Sequence, residues 1–255
     1  MCFHSSALAV GMTKNGEISS TRTMPRPGNG SLTSSARATP RITVIAITVL
    51  IGVALALLIN EPFPGRGIVR VLLISPFFVM PTVNALLWKN MMMNPIYGVL
   101  AQVWTLFGAQ PVDWLTDYPL FAVIVMVAWQ WLPFATLIFM TSLQSLDREQ
   151  LEAARMDGAN YLQQVRFLVL PHLARSVAVV VMIEMIFLLG VFAEIYTTTA
   201  GGPGDASTNV TFLIFKQALL NFDAGVASAG ALFAVLMANI VAVFLIRLIG
   251  KNLDR

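Results

Sequence analysis

Apolar residues gather in five long blocks, at roughly 42–60, 71–88, 119–141, 176–197 and 224–248, with shorter polar segments between them. Within each block the apolar positions run on continuously. They show neither the alternation of a half-buried strand nor the single stripe of a surface helix. At about 1.5 Å of rise per residue, about 20 helical residues cross a hydrocarbon core of about 30 Å. Every block reaches that length, the second once Ile68 and Val69 are counted with it. Barrel strands would alternate, so continuous runs predict helices. The expected fold class is all-α: a polytopic membrane bundle of about five transmembrane helices. Pro76 and Pro81 in the second block and Pro133 in the third remove helix hydrogen bonds, so kinks or breaks are expected there.

Residues 1–41 differ in character. They are rich in Ser, Thr, Arg, Gly and Pro, with Glu17 as the one acidic residue. That composition predicts a disordered tail, leaving 42–255 as the membrane domain. An Arg- and Ser-rich, acid-poor start also fits a transit peptide, but no amphipathic helix supports that.

Basic residues set the orientation. Arg66 and Arg70 follow the first block, Arg148, Arg155, Arg166 and Arg175 follow the third, and Arg247, Lys251 and Arg255 end the chain. These three segments fall on one side, which the positive-inside rule makes cytoplasmic. The opposite loops, 89–118 and 198–223, hold only Lys89 and Lys216. Five crossings then put Lys14, Arg22, Arg26, Arg37 and Arg41 outside, against the same rule. Trp88, Trp104, Trp114, Tyr97 and Tyr118, in or beside the 89–118 loop, suit a membrane interface.

Composition sharpens this picture by exclusion. Hydrophobic residues make up 57% of the 255-residue chain and charged ones 11%, less than half the share of a soluble domain. Cys2 is the only cysteine, and His4 and His172 are the only histidines. That excludes an internal disulfide and most metal-site and triad chemistry, so neither a metal nor a catalytic residue is expected. The net charge of +3 is spent on short loops and does not point to nucleic acid. No glycine-rich loop ending in Gly-Lys-Ser/Thr is present, so no ATP cradle is expected in this chain.

The cytoplasmic segment 142–175 carries the most information. Asp147 followed by Gln150 is a capping-box pattern and predicts a helix start. Gly158 fits its left-handed stop. Asn160 and Gln163 repeat the cap and start a second short helix, which Pro171 ends or kinks. Such a hairpin is a compact knob. Ala153, Ala154 and Ala159 would let another backbone come close, and Glu152, Arg155 and Asp157 would orient it by charge. The same hairpin could instead lie on lipid headgroups.

Glu152-Ala153-Ala154, then three residues, Gly158, nine residues, and Leu168-Val169-Leu170-Pro171 resembles the "EAA" signature of permease subunits of binding-protein-dependent ABC importers. That signature ends Ile-x-Leu-Pro, so Leu168 is the one departure. The resemblance implies that the 142–175 hairpin is a coupling helix seated on an ATPase, with Glu152, Ala153, Ala154, Asp157, Gly158, Ala159, Leu170 and Pro171 as its residues. It implies an alternating-access importer of the bacterial inner membrane that binds no cofactor itself, ATP being used by a partner ATPase dimer. A second permease subunit, a soluble solute-binding protein and membrane lipid complete the expected partners. The Phe192 to Gly204 stretch and the Pro62-Phe63-Pro64-Gly65-Arg66-Gly67 loop are similar to the carbohydrate branch, of the maltose, glycerol-phosphate and sugar-alcohol type. Phe187 to Glu194 and Ala227 to Gly230 resemble its polyol members. Members of that branch begin with a further transmembrane helix that residues 1–41 do not resemble.

Polar residues inside the blocks are the pathway candidates. A carboxylate in the bilayer costs about 2.5–3.5 kcal/mol on insertion scales, so Glu184 and Glu194 should face protein or water. Asn84, Gln130 and Asn239 can bond a sugar hydroxyl or another helix. Trp129, beside Gln130, offers an aromatic face or plain packing. Gly225, Ala229, Gly230, Ala234 and Ala238 predict close packing of the last helix against a sister subunit. A secondary transporter or channel working without ATP is the alternative, but paired intramembrane charges and an inverted repeat, which would favour it, are not found. A membrane-anchored enzyme lacks any nucleophile–base pair in the loops.

Overall fold

A computed structural model describes residues 34–61 and 63–253. The expected tail therefore lies largely outside the described residues, which begin with a helix, α1 (Ser34–Asn60). The described elements are helical throughout. After α1 come α2 (Arg66–Ile74), α3 (Pro81–Leu87), α4 (Val99–Leu106), α5 (Trp114–Asp117) and α6 (Pro119–Gln144). Then follow α7 (Arg148–Met156), α8 (Tyr161–Gln164), α9 (Leu170–Phe187), α10 (Ala193–Thr198), α11 (Val210–Phe215) and α12 (Ala224–Leu253).

Four helical stretches are long and apolar enough to cross a membrane: Pro40–Asn60, Pro119–Gln144, Tyr161–Gly190 and Ala224–Val243. A bent helix pair passes the same test only when its two pieces are taken together as one span. Arg66–Phe78 and Pro81–Met92 meet at 106°, a break within the second block at Pro81, one of the two prolines expected to kink or break it. Val79 and Met80 are extended between them (ψ 128° and 141°). Proline disfavours helical backbone in the residue before it, so Pro81 favours the break at Met80. Pro133 has no such effect, and α6 continues through it.

Helices α1 and α6 form the heart of the bundle. A Cβ added to Gly52 would lie 3.2 Å from Ala135 and from the Phe139 ring, so the two helices touch almost backbone to backbone. Around this seam Ala56, Ile59, Phe139, Leu173 and Val180 are buried toward one end, and Val44, Val127, Leu188 and Phe212 toward the other. The ends are distinct. Pro40 and Arg41 line one cavity with Leu120, Val191 and Ser207, whereas Asn60 lines another with Gln144 and Leu151. Arg41 thus shares its end with the loops assigned to the outside, and its clash with the positive-inside pattern stands.

Two expectations need correcting. The second helix of the 142–175 hairpin is not short and does not end at Pro171. It runs on as the Tyr161–Gly190 span. Within it Leu170 N–H reaches back to Val165 O, a π-turn covering Val165–Val169. That wider turn lies just before Pro171, where a regular α-turn would press the ring on the Phe167 carbonyl. The small residues of α12 are also turned differently. Gly230, Ala234 and Ala238 are half-buried on the side that packs on α9 and α11 of the same chain. A Cβ on Gly230 would meet Ile214 at 3.3 Å, so these three serve an intramolecular seam, while Gly225 and Ala229 are exposed. Leu232, Phe233, Leu236 and Ile240 are exposed on the rest of α12.

Candidate functional site

The cytoplasmic hairpin is set by its caps. Asp147 is the N-cap of α7, its carboxylate accepting from Glu149 N–H at 2.9 Å; the reciprocal pair with Gln150 does not form. At the other end Gly158 takes φ +80°. Gly158 N–H bonds Arg155 O at 3.0 Å and Ala159 N–H bonds Ala154 O at 2.9 Å, closing the helix with its last carbonyls satisfied. Nothing lies within 4 Å of a Cβ placed on Gly158, so backbone conformation alone requires the glycine. Asn160 and Gln163 form the full capping box, at 2.9 and 2.8 Å, and Gln164 donates to Ala159 O at 2.8 Å.

The turn is therefore stiff, and what it shows to solvent is apolar at its centre. Met156 is 89% exposed and Leu162 75%, flanked by exposed Glu152, Ala153, Asp157 and Gly158. Ala154 and Ala159 are half-buried. Leu170 and Pro171 are exposed but belong to the span, well past the turn. Sequence reasoning missed Met156 and Leu162, whose apolar character becomes informative only once their exposure is known. It also missed His172, whose Nε2 lies 2.9 Å from Ser142 O and 3.2 Å from Ser145 Oγ. That ring ties the end of α6 to the start of α9 and closes the base of the hairpin.

The second arrangement is a cavity of about 620 Å³ beside the broken span. Phe77, Val79 and Gln130 line one part of it, Trp131, Phe187 and Glu194 another. Its walls carry two chain breaks: the extended pair Val79 and Met80, and the turn at Val191 and Phe192 between α9 and α10. Gln130, 7% exposed, repairs the first, its Nε2 donating to Val79 O at 2.7 Å while its Oε1 accepts from Asn84 at 3.0 Å. Asn84 also donates to Met126 O at 3.3 Å, and its Oδ1 is buried without a partner among the described residues. Trp131 sits among Phe77, Phe134 and Phe187, ring centres 6.0, 5.7 and 5.2 Å away.

The predicted pathway residues thus divide. Gln130 and Glu194 line the cavity, with Asn84 behind Gln130. Trp129 packs edge-on against Trp88 at 5.8 Å. Asn239 is exposed and bonds Val235 O of its own helix. Glu184 is fully buried and turned to α1, where Thr48 Oγ1 donates to it at 2.6 Å. These last three lie off the cavity. A hydrogen-bonding amide, a carboxylate and an aromatic wall suit reversible binding of a polyhydroxylated solute, with no nucleophile–base pair for covalent chemistry.

Residues 49–255 match the family described as "Binding-protein-dependent transport system inner membrane component". The chain belongs to this family. Among its relatives is a probable ABC transporter permease protein, y4oQ, of Sinorhizobium fredii, 34% identical over 217 residues (84% of this chain, 70% of that one). The trehalose/maltose transport system permease protein MalF of Thermococcus litoralis is 32% identical over 204 residues, 79% of this chain and 68% of its own. Among solved structures, an importer of the acidic polysaccharide alginate superposes with a TM-score of 0.70 at 22% identity, covering 85% of this chain and 79% of that one. The MetNI methionine transporter gives 0.59 at 16%, covering 85% and 93%. The chain is an ABC permease subunit of the inner membrane, and its hairpin, groove and broken span all fall inside the matched residues.

Proposed function

We propose that this permease carries a sugar or sugar alcohol inward across the bacterial inner membrane, driven by a partner ATPase dimer that grips the 142–175 hairpin. The observation that carries this reading is the hairpin itself: a capped turn with Met156 and Leu162 exposed at the end of the bundle that carries the arginines. Exposed apolar anchors with a charged rim, Glu152, Arg155 and Asp157, are what a docking surface offers. ATP hydrolysis falls to the partner. The groove supports the substrate class, since aromatic faces stack on the C–H faces of sugars while Gln130 and Glu194 bond hydroxyls. The named cargo of relatives points the same way: trehalose and maltose for MalF, and glycerol-3-phosphate for UgpA of Agrobacterium fabrum, 27% identical over 221 residues. A second permease subunit completes the groove, and a soluble binding protein delivers solute, as the alginate importer bound to its periplasmic protein suggests.

The test is co-purification of the native chain from membranes with a candidate partner ATPase, alongside two substitutions at Gly158. Gly158→Asn tolerates positive φ and should keep the ATPase; Gly158→Val does not and should lose most of it. No ATPase bound to the native chain would refute the proposal. Loss in both variants would mean that the partner's backbone needs the space at Gly158, a contact rather than a turn requirement.

A further inference from the structure

A third cavity, about 470 Å³, lies at the cytoplasmic end of the bundle. Asn60 from the end of α1, Arg66 and Arg70 from α2, Gln144 from the end of α6, and Leu146 and Leu151 line it. Arg66 and Arg70 are four residues apart, so both leave α2 on one face. The Nε of each is buried without an acceptor among the described residues. A guanidinium carries five donors, accepts nothing and stays charged, so two of them in a wall that holds no carboxylate form an anion site. Arg66 also opens α2, placing the positive end of that helix dipole beside them.

The opposite face of α2 indicates which anion. Ile68, Val71 and Leu72 are 70%, 69% and 66% exposed, on half of the bent apolar helix pair. These side chains belong against acyl chains, so an anion approaching along this helix must carry hydrocarbon next to its charge. A free phosphate has no such tail, and an acidic side chain of a docked protein would arrive from the aqueous side. We propose that the cavity binds the phosphate of an anionic phospholipid headgroup of the cytoplasmic leaflet, held by Arg66 and Arg70. Because Leu151 of α7 lines the same cavity, the headgroup sits between the broken span and the hairpin and props one against the other.

The full-length chain, reconstituted in nanodiscs and then extracted mildly, would be examined by native mass spectrometry for retained phosphatidylglycerol against phosphatidylcholine. The native chain should retain the anionic lipid selectively, and excess inorganic phosphate should not displace it. Arg66→Gln with Arg70→Gln should lower apparent affinity roughly thirtyfold, about fivefold for each lost charge. Arg66→Lys with Arg70→Lys should recover most of it, which a merely misfolded pair would not do; helicity by circular dichroism gives the folding control. Equal retention of both lipids by the native chain would overturn the proposal, and displacement by inorganic phosphate would make the site one for free anions. Unchanged lipid retention in the Gln pair, together with loss of the ATPase, would hand the cavity to a protein carboxylate instead.

Discussion

Gln130→Leu tests whether the groove wall depends on one buried amide. The substitution keeps volume but deletes two hydrogen bonds, to Val79 O at 2.7 Å and from Asn84 at 3.0 Å. Val79 is extended at the chain break, so its carbonyl finds no replacement within a helix. Side-chain hydrogen bonds in membrane bundles average about 0.6 kcal/mol and reach about 1.7, and a stranded buried group costs about 1–3 kcal/mol. A loss of about 1–3 kcal/mol follows. Asn84→Leu should cost less, because it also removes an Oδ1 that already lacks a partner. The double variant should then cost less than the sum of the singles, with a coupling of about 0.5–2 kcal/mol. The assay is reversible unfolding in mixed micelles with increasing dodecyl sulfate, followed by circular dichroism. Costs that add to within about 0.3 kcal/mol, the usual scatter for independent sites, would show that the two amides do not act together and would refute the account of the wall.

Two further outcomes follow from the buried contacts. Thr48→Val strands the fully buried Glu184 carboxyl and should cost about 1–3 kcal/mol in the same unfolding assay, whereas Glu184→Gln, which still accepts from Thr48 and puts its amide nitrogen where an Oε1 already has no partner among the described residues, should cost no more than that and leave uptake unchanged. Abolished uptake in Glu184→Gln at unchanged stability would return that carboxylate to the pathway. Ala178→Pro interrupts the Tyr161–Gly190 span midway, at about 3 kcal/mol. ATPase binding should survive and uptake should fall, and normal uptake would show that the two ends need not move as one.

What the sequence reveals and conceals follows from the range of each interaction. Gly158 and the Asn160–Gln163 box are legible because their energetics lie within a few residues. The broken second span is half legible: Pro81 biases Met80 away from helix, but Pro133 in α6 shows that proline alone does not decide. The span running down to Tyr161 was concealed, since Arg166, His172 and Arg175 make its first half look like loop. Its helix is carried instead by the capping box at Asn160 and by Leu173 and Val180, which are buried in the bundle. Direction was the least legible property. Glu184, Asn239 and the Gly230–Ala234–Ala238 stripe were all noticed, yet which neighbour each faces depends on helix rotation, a tertiary outcome that composition does not encode. Met156 and Leu162 lay in plain view, but an apolar residue gains meaning only when it is found uncovered.

The hairpin and the groove are joined by a single element. Tyr161–Gly190 spans 30 residues, about 45 Å at helical rise. It starts in the Asn160 cap and ends with Phe187 and Gly190 in the groove wall. A rod of that length cannot absorb a displacement at its foot by bending alone; its head has to move unless a break intervenes. The lower rod carries one irregularity, the π-turn at Val165–Val169, through which the helix stays continuous; the extended breaks lie at its head, at Val191 and Phe192, and across the groove at Val79 and Met80. Extended backbone survives at membrane depth only where protein or a cavity satisfies it, and Gln130 does this for Val79. The compliant joints therefore surround the place where solute would pass, while the stiff part reaches the partner. On the proposed reading, force entering at Met156 and Leu162 travels along the continuous Tyr161–Gly190 helix and changes the shape of the groove, where the extended breaks lie.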